Sequence, residues 1–284
     1  MRSVKLILAA GAASLLSTAV FAADMPLPPP QQYYAPPAQD FGGWYLRGDI
    51  GFSNQSVKRL DNALDSTLLT QRQTLDFSTA GIYGIGVGYQ FNNWFRADVT
   101  GQYRGKAAFH GTDNNTFNNG GTTGYGADTY TATKSEWLVM ANAYVDLGTW
   151  WCVTPYIGAG VGGARVTIAN FTDQNVGSLF PPGSGVGSGT AYGDTASKWN
   201  LAWALHAGLA YKVTPNMTVE MGYSYLDMGK GMTGDLRSFD GTNNINNPMT
   251  FKDITSHDLK LGVRWNLDSA PTYAPPPPPL IRKG

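Results

Sequence analysis

The sequence predicts an all-β fold: an eight-stranded antiparallel transmembrane β-barrel with short periplasmic turns and long extracellular loops. Three observations predict it. Segments near 44–53, 80–91, 94–104, 135–147, 154–165, 199–212, 217–227 and 255–267 alternate apolar and polar residues with period two. The connections between them alternate strictly, long then short. Only 14% of the 284 residues are charged, against 12% aromatic and 35 glycines, and mean hydropathy is −0.22. Strands that face lipid on one side and a polar lumen on the other give this average without any long apolar run.

The chain opens with Arg2 and Lys5, then a short apolar stretch from Leu6 to Val20, then Val20-Phe21-Ala22-Ala23. This order reads as a secretory signal peptide over 1–22, cleaved after Ala22 or Ala23. The apolar stretch is shorter than the ~20 residues a membrane helix needs. No later stretch reaches 18 apolar residues, so a membrane-embedded chain must cross as strands. Residues 23–40 and 269–284 contain MPLPPPQQYYAPPA and PTYAPPPPP, both with YAPP. Such sequence favours polyproline II and resists packing. Both segments are expected to be periplasmic tails flanking a barrel over 41–268.

Each strand has a polar and an apolar face. In the first, Leu46, Ile50 and Phe52 oppose Arg47 and Asp49. The second carries Gly84, Gly86 and Gly88 on its inward face, and the fifth carries Gly158, Gly160 and Gly162 there. Period-two glycine makes room for bulky lumen residues on neighbouring strands. In the third, Phe95, Ala97, Val99 and Tyr103 oppose Arg96, Asp98, Gln102 and Arg104. In the fourth, Trp137, Val139, Ala143, Val145 and Leu147 oppose Glu136, Asn142 and Asp146. In the sixth, Trp199, Leu201, Trp203, Leu205, Leu209 and Tyr211 oppose Asn200, His206 and Lys212. In the seventh, Val219, Met221, Tyr223 and Tyr225 oppose Glu220. In the last, Leu259, Leu261, Val263, Trp265 and Leu267 oppose Asp258, Lys260, Gly262, Arg264 and Asn266. The cause is a penalty: Lys or Arg facing lipid costs ~2–4 kcal/mol at the midplane and ~0–1 near the interfaces. Arg165 and Asp227 break the parity, both at the outer ends of their strands.

Aromatics collect at strand ends, as headgroup-level girdles require. Trp44, Phe91, Trp94, Trp150, Trp151, Tyr211 and Trp265 are expected on the periplasmic side. Phe52, Tyr83, Tyr103, Trp137, Trp199 and Tyr225 are expected on the outer side. The intervals 54–79, 105–134, 166–198 and 228–254 are polar and read as the long loops. The short turns are Asn92-Asn93, Gly148 to Val153 and Val213 to Asn216.

The signal peptide, the opening FGGWYLRGDIGF, the glycine-alternating GIYGIGVGYQF and the closing HDLKLGVRWNL resemble the small outer-membrane β-barrel proteins of alphaproteobacteria. These belong with the OmpA transmembrane domain and the opacity proteins, and are often termed porin-like. The resemblance spans about residues 41–267 and implies an eight-stranded barrel. Two features depart from it. The family's closing strand usually ends the chain, whereas here a Pro-rich tail follows Trp265-Asn266-Leu267. The peptidoglycan-binding domain of full OmpA proteins has no counterpart, so its function is not carried over.

The expected lumen network is Arg47, Asp49, Arg96, Asp98, Arg104, Glu136, Asp146, His206, Lys212, Glu220, Asp258, Lys260 and Arg264. Eight strands enclose a space that side chains fill. The main reading is therefore a salt-bridged core, with a narrow gated ion path as the alternative and an enzyme as the last. His206 has Glu220 as a plausible neighbour on the adjacent strand. His110 sits in a long loop. Ser256-His257-Asp258 cannot converge as a triad, because strand neighbours point to opposite faces. No HExxH, GxSxG or phosphate loop occurs. Lone Cys152 offers neither an internal disulfide nor a metal site. No catalytic, cofactor or metal residues are expected. The 20 basic and 20 acidic residues cancel, with no basic face for nucleic acid. The expected role is structural or surface-interacting. Outer-membrane lipid, lipopolysaccharide and the barrel assembly machinery are the expected partners. Host, phage or peptidoglycan contacts stay open, and the loops are the place for specific binding.

Overall fold

The computed structural model describes residues 43–179, 186–243 and 245–267. The expected signal peptide and both Pro-rich tails lie outside the described residues. The elements are β1 (Gly43–Asp61), β2 (Leu68–Phe77), β3 (Ala80–Gln90), β4 (Phe95–Asn119), β5 (Thr122–Asp146), β6 (Val153–Leu179), β7 (Val186–Gly193), β8 (Ala196–Lys212), β9 (Met217–Met232), β10 (Leu236–Ser238) and β11 (Thr250–Asn266). A short 3-10 turn, Ala63–Thr67, joins β1 to β2.

Eight strands close a ring. β1 pairs antiparallel with β3, and pairing continues through β4, β5, β6, β8, β9 and β11 back to β1. Closure removes every edge from the ring, which is what lets strands cross a bilayer. The remaining strands extend one end only: β2 pairs with β4, β7 with β6, and β10 with β7. Tight turns close the other end. At Asn92 the side-chain oxygen accepts from the backbone N–H groups of Trp94 (3.0 Å) and Phe95 (2.7 Å), a local bond that favours turning over strand.

The outward face of the ring is an apolar belt. Ile85 is 75% exposed and Leu201 76%, with Ile50, Val161 and Leu261 beside them in the same belt. Water would not tolerate so large a patch; acyl chains do. Aromatics border the belt at both ends. At the extended end, pairing register sets Tyr83, Tyr103, Trp137, Arg165 and Trp199 in one continuous row across five strands. Arg165 therefore sits between two tryptophans at the belt's edge, which is why its parity exception is cheap.

The long connections all leave from one end, but they are largely strand. β4 and β5 run on to a hairpin whose turn is Gly120-Gly121, with φ of +61° and +88°. Successive positive φ angles match the right-handed strand twist and favour glycine at both positions. Beyond the belt the chemistry of the two faces inverts. Outward residues become polar (Asn54, Lys58, His110, Thr112), while inward residues become apolar (Val57, Leu60, Ala107, Phe109, Val166, Ile168). Once lipid gives way to water outside, the hydrophobic effect drives apolar groups inward as in a soluble barrel.

The belt gives a direct test. Val263 faces outward, 45% exposed, between Gly48 and Val219. Val263→Arg is expected to cost ~2–4 kcal/mol and to reduce sharply the fraction of protein that refolds into lipid vesicles, read as heat-modifiable gel migration. Asn54→Arg, on the same kind of face but above the belt, is expected to refold normally. Normal refolding of Val263→Arg would show that this face does not meet lipid.

Candidate functional site

The barrel interior is built in tiers. The tier nearest the short turns is a charge cage. Arg47 donates to Asp49 (2.8 Å), Asp98 (2.8 Å) and the Tyr144 hydroxyl (3.0 Å). Arg96 meets Asp146 at 3.2 Å and lies over the Tyr144 and Tyr156 rings at 4.4 and 4.8 Å. Glu220 stands among three guanidiniums, from Arg96 (3.3 Å), Arg264 (3.5 Å) and Arg47 (3.7 Å). Glycines admit the large side chains. A Cβ on Gly88 would lie 2.3 Å from the Tyr45 ring, and one on Gly208 or Gly222 would lie 2.6 Å from the Tyr156 hydroxyl.

His206 does not pair with Glu220. It bonds Ser224 (2.8 Å) and Asn142 (3.2 Å), because register sets Ser224 opposite it and puts Glu220 opposite Ala210. Lys260 is buried and shares a small internal cleft with Asp49, His206 and Glu220. Lys212 stands apart from the network expected for it. It is exposed at the end of β8, where the inward row has already passed out of the barrel. His257 points outward to the Tyr223 hydroxyl (2.6 Å), while Ser256 and Asp258 point inward to Arg104.

The next tier holds Arg104 with Asp258, Ser53 (3.0 Å) and Ser256 (2.8 Å), and Lys134 with Glu136, to which Gln55 also donates (3.1 Å). Above it lies an apolar plug. Phe251 is its hub, with ring centroids 5.0 Å from Phe109, 6.1 Å from Phe171 and 6.3 Å from Phe77. Lys134 spans the two tiers, its ammonium 4.4 Å from the Phe77 ring centroid.

The uppermost tier is an open cavity of about 260 Å3. Asp65, Asp113, Asp128 and Asp173 line it, with Tyr130 and Phe117. Burial, with the charge of Asp113 next, raises Asp128 to about 6. Burial, with the charges of Asp128 and Asp113, raises Asp173 to about 7. Residues 105–134 and 166–198 read as loops in the sequence, so this cavity was not visible there. The signal that could have found it is the NNGG turn flanked by inward Ala107, Phe109, Tyr130 and Ala132, which fixes the register of Asp113 against Asp128.

The outward aromatics lie at the two ends of the belt. Trp44, Phe91, Trp94, Trp150, Trp151, Tyr211 and Trp265 border the belt at the short-turn end, and Phe52, Tyr83, Tyr103, Trp137, Trp199 and Tyr225 border it at the extended end. The rings of Tyr103 and Trp137 meet at a tilt with centroids 4.8 Å apart, and those of Trp203 and Tyr225 at 5.5 Å.

A family model described as the outer membrane protein beta-barrel domain matches residues 8–266. The chain belongs to that family. This outer-membrane barrel therefore resides in the cell outer membrane, with its short turns periplasmic and its long extension extracellular. An uncharacterized protein of Brucella abortus is 33% identical over 212 residues, covering 69% of this chain and 71% of its own. Outer membrane protein PagN of Salmonella typhimurium is 29% identical over 198 residues, covering 66% and 75%. A Rickettsia prowazekii protein provisionally named an adhesin is 26% identical over 226 residues, covering 79% and 87%.

Proposed function

We propose that this outer-membrane barrel is a closed, non-enzymatic protein of the cell envelope that works by surface interaction through its extracellular extension. The observation that carries this reading is the stack of tiers: among the described residues a charge cage and an apolar plug occupy the lumen, and an open tier lies beyond them at the extended end. Ions avoid an apolar constriction, because no polar group there replaces their hydration. The provisional adhesin name of the Rickettsia relative supports the same direction. The cage carboxylates are each matched by an arginine, and His206 is held by a hydroxyl and an amide rather than by a carboxylate. That arrangement supports a packing role over proton transfer. On this reading outer-membrane lipid and lipopolysaccharide pack on the belt, with Arg165 at headgroup level, and insertion goes through the barrel assembly machinery.

A narrow ion path through the cage is the second reading, favoured by the small cleft at Lys260. Planar-bilayer recording of the refolded chain separates the two. No steady single-channel openings are expected, in the native protein or in Lys260→Ala. Reproducible openings that change with Lys260→Ala would replace the closed reading with the conducting one.

A further inference from the structure

The carboxylates of the extracellular cavity have no cation. Among the described residues every other inward carboxylate is matched: Asp49 and Asp98 to Arg47, Asp146 to Arg96, Glu136 to Lys134, Asp258 to Arg104, and Glu220 to three arginines. Asp113 on β4 and Asp128 on β5 stand directly opposite each other, both inward. Like charges in directly opposed positions destabilise a sheet. Asp173 on β6 joins them, facing Tyr130 across the next pairing. Among the described residues, none of these three forms an ion pair.

Asp113 adds an independent sign. It is 1% exposed, lines the cavity and accepts through Oδ2 from Gln71 (2.6 Å) and Gln73 (3.3 Å), yet its Oδ1 is buried with no partner. Asp173 Oδ1 is likewise buried and unpartnered. A buried, unpaired carboxylate oxygen is costly to keep. Among the described residues, a fold that pairs its other inward carboxylates and leaves these unmatched has room for a cation from outside.

We propose that this cavity binds an organic cation with N–H donors, a primary alkylammonium group, held between Asp113, Asp128 and Asp173. The inference rests on the surface-interaction reading and names the ligand chemistry of that site. An ammonium offers three donors and no acceptor, matching an acceptor-only wall. Its alkyl chain lies against Leu68, Phe117, Tyr130 and Val176, which form the apolar part of the lining. A hard divalent ion fits less well. Calcium gathers 6–8 oxygens at about 2.3–2.6 Å, and among the described residues no group of three or more carboxylate, histidine or cysteine side chains is arranged to hold a metal ion. The ammonium source is either a free polyamine or a lysyl side chain presented by another protein.

Acidity regulates such a site. The titratable groups facing the cavity are Asp113 from β4, Asp128 and Tyr130 from β5, Asp173 from β6 and Asp65 from the turn after β1; β2 contributes the uncharged Gln71 and Gln73. Asp128 and Asp173 take up protons as pH falls through 7 to 6, so cation binding weakens there. The stability of the extension behaves oppositely. Folded-state values raised above the unfolded one give stability that is complete at low pH and lost as pH rises through 6 to 7.

Isothermal titration on the refolded full chain tests the proposal. The probes are spermidine and Nα-acetyl-lysine N-methylamide, with tetramethylammonium and calcium chloride as competitors. Saturable binding of an N–H probe is expected at pH 8, at least tenfold weaker at pH 5 and at least tenfold weaker in Asp113→Asn. Binding of spermidine alone assigns a free polyamine; binding of the lysine amide assigns a protein lysyl group. Asp173→Asn provides the same readout if Asp113→Asn misfolds, with folding read by heat-modifiable migration. Absence of saturable binding by both probes overturns the proposal, as does unchanged affinity in a folded Asp variant or equal competition by calcium or tetramethylammonium. If the probes fail while the barrel remains non-conducting, the surface-interaction reading survives and this inference alone falls.

Discussion

Glu220→Ala is expected to destabilise the barrel by about 3–5 kcal/mol, the loss that follows when one partner of a buried ionic group is removed. Glu220 is the shared counter-charge of Arg47, Arg96 and Arg264, which come from β1, β4 and β11. Without it, three guanidiniums face one another in a space that side chains fill. Arg47 keeps Asp49 and Asp98, and Arg96 keeps Asp146, but Arg264 loses its ion-pair partner among the described residues. Urea unfolding of the native and variant proteins in detergent micelles measures the effect. A midpoint unchanged within error would mean that water enters the cage and solvates the arginines. Glu220→Gln keeps the volume and hydrogen-bonding capacity but not the charge, so it separates lost packing from lost charge.

Phe251→Ala is expected to cost about 3–5 kcal/mol, the usual range for deleting a buried phenylalanine ring and leaving its cavity. Phe251 is fully buried and touches three other rings, so its removal leaves a void at the centre of the plug. The loss is local in character. Amides of β4 and β5 above Arg104 should lose hydrogen-exchange protection, while the lipid-embedded strands retain theirs and the gel migration of the folded form persists. Conductance should also stay absent, because the Arg104–Asp258 and Arg47–Glu220 tiers below are intact. Unaltered protection over residues 107–132 would show that hairpin pairing, not the apolar plug, holds the extension together.

How much the sequence revealed depends on which solvent each face meets. Within the belt, lipid penalises every outward charge. Arg47, Asp49, Arg96, Asp98 and Arg264 therefore announce the inward face through simple parity, and Leu259, Leu261 and Val263 announce the outward one. Above the belt the outward face meets water, and Thr, Asn and Gly are tolerated there. The alternation of Ala107, Phe109, Tyr130 and Ala132 is thin against that background, and these segments resemble loops by composition. The pairing of His206 with Ser224 rather than Glu220 is set by register, which face parity does not supply. Lys212 has inward parity, but parity says nothing about where the lumen ends.

The sequence by itself determined the strand number in the membrane, the face each belt residue presents, the sidedness of long and short connections and the balanced charge of the lumen. Those follow from a local period of two acting against a uniform lipid penalty. Only the tertiary structure decided which charges meet, where the apolar plug closes the lumen, and that Asp113, Asp128 and Asp173 converge without a cation. These depend on the stagger between strands far apart in sequence. A shift of one residue in pairing turns an entire row of side chains to the other face, so contacts of this kind are properties of the closed ring and of no single strand.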